Sequence, residues 1–464
     1  MAEKIGDESV YLRLEQLQKG LLQFTDTTNA YRLLTEYGKD IRYNFPWKKW
    51  LIWDGRRWKV DDGFLIQHKG LQIVRGIYSE LLKTSDYRER IDIEKHAMQS
   101  ESARRRKALV EVASWIPELN VTTEELDTDT SLLNVMNGTI DLLTGEMREH
   151  RPGDLITKIA RVEHDAKADC PVWKKFVMEI MDYNTELIRY VQTAAGWAIT
   201  GDTSEQSMFI LHGSGANGKS TFLNTVMNIL GDYAIATPTD TFMKRSGEQI
   251  SNDIARLRGT RFVTTTEAEQ GRRLSEPLIK QITGNDPMTA RFLYGEYFSF
   301  IPTFKIFMAT NHKPVIKGTD HGIWRRIKLI PFTEMIPEGR QDKHLEQKLM
   351  LEAPGILNWL IEGALRWHRE GLDTPPAVNS ATNEYREEMD VIGNFIKERC
   401  VRQAEGSIRA RELFRCYQDW CDENNEHAFS ERFLGMRLKE MGLSQKRLGD
   451  GRYWQGIQLQ ETRE

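Results

Sequence analysis

At 464 residues the chain exceeds what one hydrophobic core serves and reads as about three domains. Hydrophobic residues make up 40% and charged ones 28%, an ordinary globular balance; the net charge of −4 excludes a general attraction to nucleic acid, so any such contact must come from local basic patches. Cys170, Cys400, Cys416 and Cys421 form no C-x-x-C pair and lack matching His spacing, no apolar run reaches membrane-spanning length, and Met-Ala-Glu-Lys-Ile-Gly-Asp is no signal segment, so a cytoplasmic protein with reduced thiols and no zinc or membrane partner is expected.

In Tyr11-Leu-Arg-Leu-Glu-Gln-Leu-Gln-Lys-Gly20 leucines alternate with charges at helical spacing until a glycine stops them. Between Ile41 and Val60, Asp54-Gly55 separates two aromatic runs, which predicts a β-hairpin. Trp47, Trp50, Trp53 and Trp58 stand beside Lys48, Lys49, Arg56 and Arg57. Such a set stacks bases and holds phosphates or, more commonly, packs as a small tryptophan-rich core under a solvated basic turn. From Gly63 to Pro117 the period is helical, and Arg104-Arg-Arg-Lys107 within it spreads around every helix face, as a solvated surface does. Turn signals at Asn137-Gly138 and Thr144-Gly145 join short strands between Leu132 and Arg148, and helix returns over 171–199.

Met208-Phe-Ile-Leu211, then Gly213-Ser214-Gly215-Ala216-Asn217-Gly218-Lys219-Ser220, then the amphipathic run Thr221 to Leu230 fit G-x-x-x-x-G-K-[ST] in its required setting of strand, loop and helix. Gly213, Gly215 and Gly218 let the backbone turn and bring its N–H groups to phosphate oxygens at a helix N-terminus. Lys219 is placed to neutralise the β/γ-phosphates and the Ser220 hydroxyl to join Mg²⁺. ATP with Mg²⁺ is therefore the expected cofactor, held by Gly213 through Thr221.

Arg261-Phe-Val-Thr-Thr-Thr-Glu267-Ala-Glu269 is a β-branched run ending in two carboxylates that share one side of an extended strand. Glu267 is the better candidate for metal or base and Glu269 the second. Phe304-Lys-Ile-Phe-Met-Ala-Thr-Asn311 ends in a lone amide, which predicts that Asn311 orients water against the γ-phosphate; the simpler alternative is a turn before His312-Lys-Pro314. Between the two strands, alternation around Tyr294-Gly-Glu296 predicts a hairpin whose tip, Arg291, Phe292, Tyr294 and Gly295, either suits a single strand or simply packs. Arg325 and Arg326 open a further strand, and either is a candidate to reach a neighbouring subunit's γ-phosphate.

Leu372-Asp-Thr-Pro-Pro-Ala-Val378 marks a boundary. Beyond it, helical stretches over 380–403, Arg409–Glu423 and Ser430–Met441 precede a hairpin turning at Gly449-Asp-Gly451, the order of a winged helix. Arg432, Arg437 and Lys439, with Lys446, Arg447 and Arg452 on the wing, would hold duplex phosphates unless the module serves protein contacts. The expected divisions are 1–165, a helical lead-in over 166–200, an ATPase core over 201–375, and 376–464.

In order, Gly213 to Ser220, Glu267-Ala-Glu269, Lys280-Gln-Ile-Thr-Gly-Asn-Asp-Pro287, the hairpin, Ala309-Thr-Asn311 and Trp324-Arg-Arg326 resemble the motifs of superfamily 3 helicases. The likeness is nearer to the helicase portion of phage and plasmid primase–helicases of the poxvirus-related type. This resemblance implies an α/β fold with an AAA+-like P-loop core, joined here to a mixed α/β N-terminal domain and the C-terminal winged helix. It implies a homo-oligomer, a hexameric ring, around single-stranded or forked DNA, with the hairpin in the channel, Lys280 near the nucleotide and Arg325 or Arg326 as the finger. Residues 1–130 carry no Asp-x-Asp paired with a His motif, so primer synthesis is not expected of this stretch, and a separate primase or polymerase, or a longer form of the chain, would supply it. The activity implied is ATP-driven replicative unwinding for a phage, plasmid or other mobile element in the host cytoplasm. The alternative is an origin-binding switch ATPase without processive unwinding; a small-molecule P-loop kinase conflicts with the paired acids, the sensor amide and the C-terminal module.

Overall fold

The computed structural model describes residues 24–244, 252–266, 271–292, 297–318, 320–424 and 426–460. The period at Tyr11–Gly20 and the candidates Glu267, Glu269, Tyr294 and Gly295 lie outside the described residues.

A five-stranded sheet organises the chain: β1 (Met208–His212), β2 (Ala234–Ala236), β3 (Phe262–Thr266), β4 (Lys305–Thr310) and β5 (Ile327–Pro331). The spatial order is β5-β1-β4-β3-β2 and every pairing is parallel. Parallel sheets are covered on both faces, so their strands are apolar at successive positions rather than alternate ones. β1 obeys this: Phe209 and Leu211 enter one core, Met208 and Ile210 the other. On the first face Phe307 stacks between Phe209 and Phe262 at 4.6 Å from each, beneath the helices Pro171–Ile180, Thr185–Ile199, Lys219–Leu230 and Ala353–Glu370. The second face carries the helix Glu276–Thr283 and the hairpin Met288–Arg291/Tyr297–Phe300.

The helix Pro376–Met389 also packs on this second face, through Tyr385 and through Thr382, whose hydroxyl accepts Leu329 N–H at 3.0 Å. The tandem prolines begin that helix instead of separating two domains, because a proline in the first turn forfeits no intrahelical bond. Packing passes to a separate core only at Asp390. That core unites helices Val391–Arg399, Ala410–Glu423 and Glu431–Glu440 with an antiparallel sheet ordered Ser407–Arg409, Gly451–Gln455, Ser444–Leu448. Leu448 pairs with Gly451, so Gly449-Asp450 is a two-residue turn.

In the N-terminal region Ile41–Asn44, Lys49–Trp53 and Trp58–Val60 form an antiparallel sheet against the helices Asp26–Tyr37, Leu65–Glu80 and Ala103–Ala113. Trp53 faces Trp58 across a turn in which the Asp54 carboxylate accepts Arg56 and Arg57 N–H at 2.9 Å each. Trp50 and Trp58 are buried and Trp47 is 37% exposed, so the tryptophan set divides between a core and a surface. Leu132–Val135, Gly138–Asp141 and Met147–Arg148 make a second small sheet. It is tied to the segment after Lys219–Leu230, where Asn134 N–H donates to Tyr233 Oη at 3.1 Å; Arg57 of the first sheet pairs with Asp232 in that segment. All four cysteines are free thiols. Among the described residues no helix is long and apolar enough to cross a membrane, and no cluster of three His, Cys, Asp or Glu could hold a metal ion.

Candidate nucleotide-binding site

The loop after β1 turns through two left-handed residues, Ala216 (φ 57°) and Gly218 (φ 81°). A Cβ at Gly218 would also stand 2.5 Å from Ile180 Cγ2, so conformation and space both demand glycine there. No side chain caps the helix Lys219–Leu230, which leaves its first amides directed at the loop. Phe332, just after β5, braces the loop from behind: its carbonyl accepts Asn217 Nδ2 at 3.1 Å, and its N–H donates to His212 O at 2.7 Å. Ile336 N–H donates to Ala216 O at 2.8 Å.

Lys219 is 6% exposed, and its ammonium donates to Gly213 O (2.8 Å), Ser214 O (3.3 Å), Asn217 Oδ1 (2.9 Å) and Asn311 Oδ1 (3.1 Å). Four acceptors share three protons. Burial lowers the Lys219 pKa, and burial first, then Lys313 and Lys219, lowers that of His212, which favours a neutral imidazole beside the ammonium. Register brings Asn311 here: Thr310 of β4 lies opposite His212 of β1, so the residue after each strand emerges at one level. His312 N–H donates to Thr310 Oγ1 at 3.1 Å and closes the turn that carries Asn311. On the other flank Thr266, the last residue of β3, lies opposite Ala309, and Glu267 follows it in the chain. Ser220 is exposed in the first helical turn and Thr221 is half-buried. A glycine-lined turn, uncapped amides, one held ammonium and a hydroxyl at the helix start form a donor set that fits a nucleoside triphosphate with a divalent cation.

The arginines stand at the opposite end of the sheet, where Ile327 pairs with Met208. Their guanidinium groups have different surroundings. Arg326 is 8% exposed, donating to Thr283 Oγ1 at 3.0 Å and Gly322 O at 2.5 Å, and burial lowers its pKa. Arg325 is exposed and donates to Gln206 Oε1 at 2.6 Å. Lys280 belongs to this end too, paired with Asp320 at 3.0 Å, and not to the loop of its own chain. The sequence order of motifs missed this because order along the chain does not record which end of a parallel strand a residue occupies.

On the hairpin Arg291 lies over the Tyr297 ring at 4.9 Å and Phe292, 48% exposed, stacks with Phe298 at 5.5 Å. In the C-terminal core Lys446 and Arg447 are exposed on the edge strand Ser444–Leu448. Arg437 differs from the expectation for it: its guanidinium spans Asp390 and Glu440 at 3.1 Å each, holding the helix Glu431–Glu440 to the start of the module.

Three family models match in succession: D5 N terminal like over residues 30–182, a family of unknown function over 211–326, and poxvirus D5 protein-like over 387–453. The chain matches a poxvirus D5-like family on both sides of the 211–326 segment. The D5-like chain is 30% identical over 326 residues to a protein of Acanthamoeba polyphaga mimivirus named as a helicase, a match spanning 64% of this chain and 34% of the relative. A protein of Frog virus 3, also named as a helicase, is 27% identical over 272 residues, 54% and 28% of the two lengths. One of African swine fever virus, named as a primase, is 24% identical over 354 residues, 69% and 36%. All three names are provisional, and the D5-like chain spans about a third of these relatives' length. The apo C-terminal region of NrS-1 aligns with 93% of the chain at TM-score 0.46 and 11% identity, too faint a likeness to carry an argument.

Proposed function

We propose that the chain is an ATP-driven motor of superfamily 3 type that unwinds DNA during replication, working as a ring, a hexamer, on one strand. The observation that carries this reading is the meeting of Lys219 and Asn311 at 3.1 Å beside the uncapped helix. When bound, MgATP supplies the phosphoanhydride whose cleavage drives the work. Gly213 to Thr221 would hold its phosphates, with Lys219 exchanging loop carbonyls for phosphate oxygens; Ser220 and Glu267 would hold Mg²⁺, and Glu267 or Glu269 would polarise the water that Asn311 orients. Arg325, exposed and at the far end of the sheet, suits the neighbour's site; Arg326 is already committed within its own fold. The hairpin residues Arg291, Phe292, Tyr294 and Gly295 grip the strand, and the C-terminal module acts as a winged helix that holds duplex through Lys446 and Arg447. Arg437 supports that module from inside.

Strand displacement tests the reading. A forked duplex incubated with protein, ATP and Mg²⁺ is expected to release its labelled strand, and only when the particle is multi-subunit. ATP turnover with duplex binding and no displacement would instead identify an origin-binding switch, and turnover indifferent to DNA would remove both.

A further inference from the structure

The turn at residues 45–48 is fastened by hydrogen bonds, and it carries two aromatic side chains exposed to solvent. Asn44 is fully buried; its Oδ1 accepts Trp47 N–H at 3.0 Å and its Nδ2 donates to Val121 O at 3.2 Å. Lys48 N–H donates to Phe45 O at 3.1 Å with Lys48 left-handed at φ 52°. Turns that only join strands are ordinarily polar. Here Phe45 is 55% exposed and Trp47 37%. Ordered aromatic faces next to cations are what a single strand of bases and phosphates recognises.

Arg258 extends the surface. Its guanidinium lies 5.8 Å from the Trp47 ring and 5.4 Å from the Phe298 ring, so one cation touches both the N-terminal turn and the hairpin. Its Nη2 is fixed by donation to Thr123 O at 3.1 Å. From Phe298 the aromatic series runs on to Phe292, and Arg291 lies over Tyr297 alongside it. Phe292 and Tyr297 are exposed, as are Arg291 and Lys48.

We propose that the turn Phe45–Lys48 and the hairpin strands are two ends of one single-strand nucleic-acid track, joined by Arg258, along which the strand passes from the N-terminal region onto the hairpin. This rests on the proposed motor function and adds an entry surface on a different element. Aromatic faces receive bases while Lys48, Arg258 and Arg291 meet phosphates, without sequence preference because every base has a face.

Binding of labelled oligo(dT) to the full chain at low salt, read by fluorescence anisotropy, tests it with two strands, one just long enough for the hairpin and one long enough for both surfaces. The paired change Phe45→Ala and Trp47→Ala is expected to weaken the long strand by about tenfold or more, as loss of stacked bases does, and to leave the short strand and ATP turnover unchanged. Trp47→Tyr, with Phe45 intact, should keep most of the long-strand affinity. Phe292→Ala should weaken both lengths; its failure to weaken either counts against the motor's hairpin and not against the turn. Unchanged long-strand binding in the paired variant overturns the track. So does a change confined to particle mass, which would mean that the turn packs against a second copy of the chain.

Discussion

At the carboxyl ends of β1 and β4 the chain gathers carbonyls, amide oxygens and uncapped N–H groups around the ammonium of Lys219, whereas at the amino ends of its strands it gathers cations and surrounds them with carbonyls. Arg261, just before β3, is buried and donates to Ile199 O and Leu132 O at 2.8 Å each. Lys305, the first residue of β4, is 1% exposed and donates to Thr200 O at 2.5 Å and Asp202 O at 3.0 Å; burial pushes its pKa well below the ordinary lysine value. Arg326 follows the same pattern before β5. A buried cation is tolerated where hydrogen-bond acceptors replace its water, so these charges organise loops and are not available to an outside phosphate. Lys219 differs because three of its four acceptors belong to the turn before an uncapped helix, and Arg325 differs because it is exposed.

The contrast breaks first at Lys219. Lys219→Ala is expected to abolish ATP turnover while far-UV circular dichroism stays that of a folded chain; retained turnover would mean that the loop is not the site. Arg325→Ala comes next, with turnover in assembled particles falling about 10³-fold, the scale of an arginine finger. Mixing it with Lys219→Ala protein should restore activity in particles where an intact loop faces an intact arginine, and no rescue at any ratio would remove the role across subunits. Asn311→Ala should lower turnover by about 10²-fold, as loss of one positioned polar group does, with nucleotide affinity little changed. An equal loss in affinity and turnover would make Asn311 a binding residue only.

Arg326→Ala sharpens the comparison from the other side. It should lower unfolding stability by about 1.5–3 kcal/mol in denaturant titration, because it removes a charged donor and strands Thr283 and Gly322. Normal stability with lost turnover would exchange the roles assigned to the two arginines. The smallest effect concerns pH. His96, His150, His164, His212 and His368 all have pKa values lowered from 6.5, each chiefly by burial. With the folded pKa depressed, the unfolded chain binds more protons as pH falls below 6.5, so stability is intact above that value and lost progressively below it. A melting midpoint that stayed flat, or rose, from pH 7 to about 5 would contradict the sign of this linkage.

Much of the site was legible because its signals are local. The glycines around Lys219 reflect turn geometry, and the apolar runs before Gly213 and Asn311 reflect strands buried on both faces. The prolines at 375–376 misled because the same residue ends one element and begins another, and only the packing of Tyr385 distinguishes the two. Arg437 looked like a free cation on a helix; Asp390, distant in sequence, holds it. Lys305, Arg261 and Arg258 went unnoticed, although a lysine at the head of an otherwise apolar strand was a usable signal.

By itself the sequence determined the phosphate-type loop, the apolar strands and the candidate polar residue that ends each of them, since these depend on backbone conformation and on neighbours a few positions away. Tertiary structure alone decided that Asn311 reaches Lys219, that Arg325 and Arg326 occupy the far end of the sheet, and that only Arg325 is exposed. The physical reason is that parallel register and the supply of buried carbonyls arise from segments far apart in the chain, and a side chain's availability depends on which of them arrives beside it.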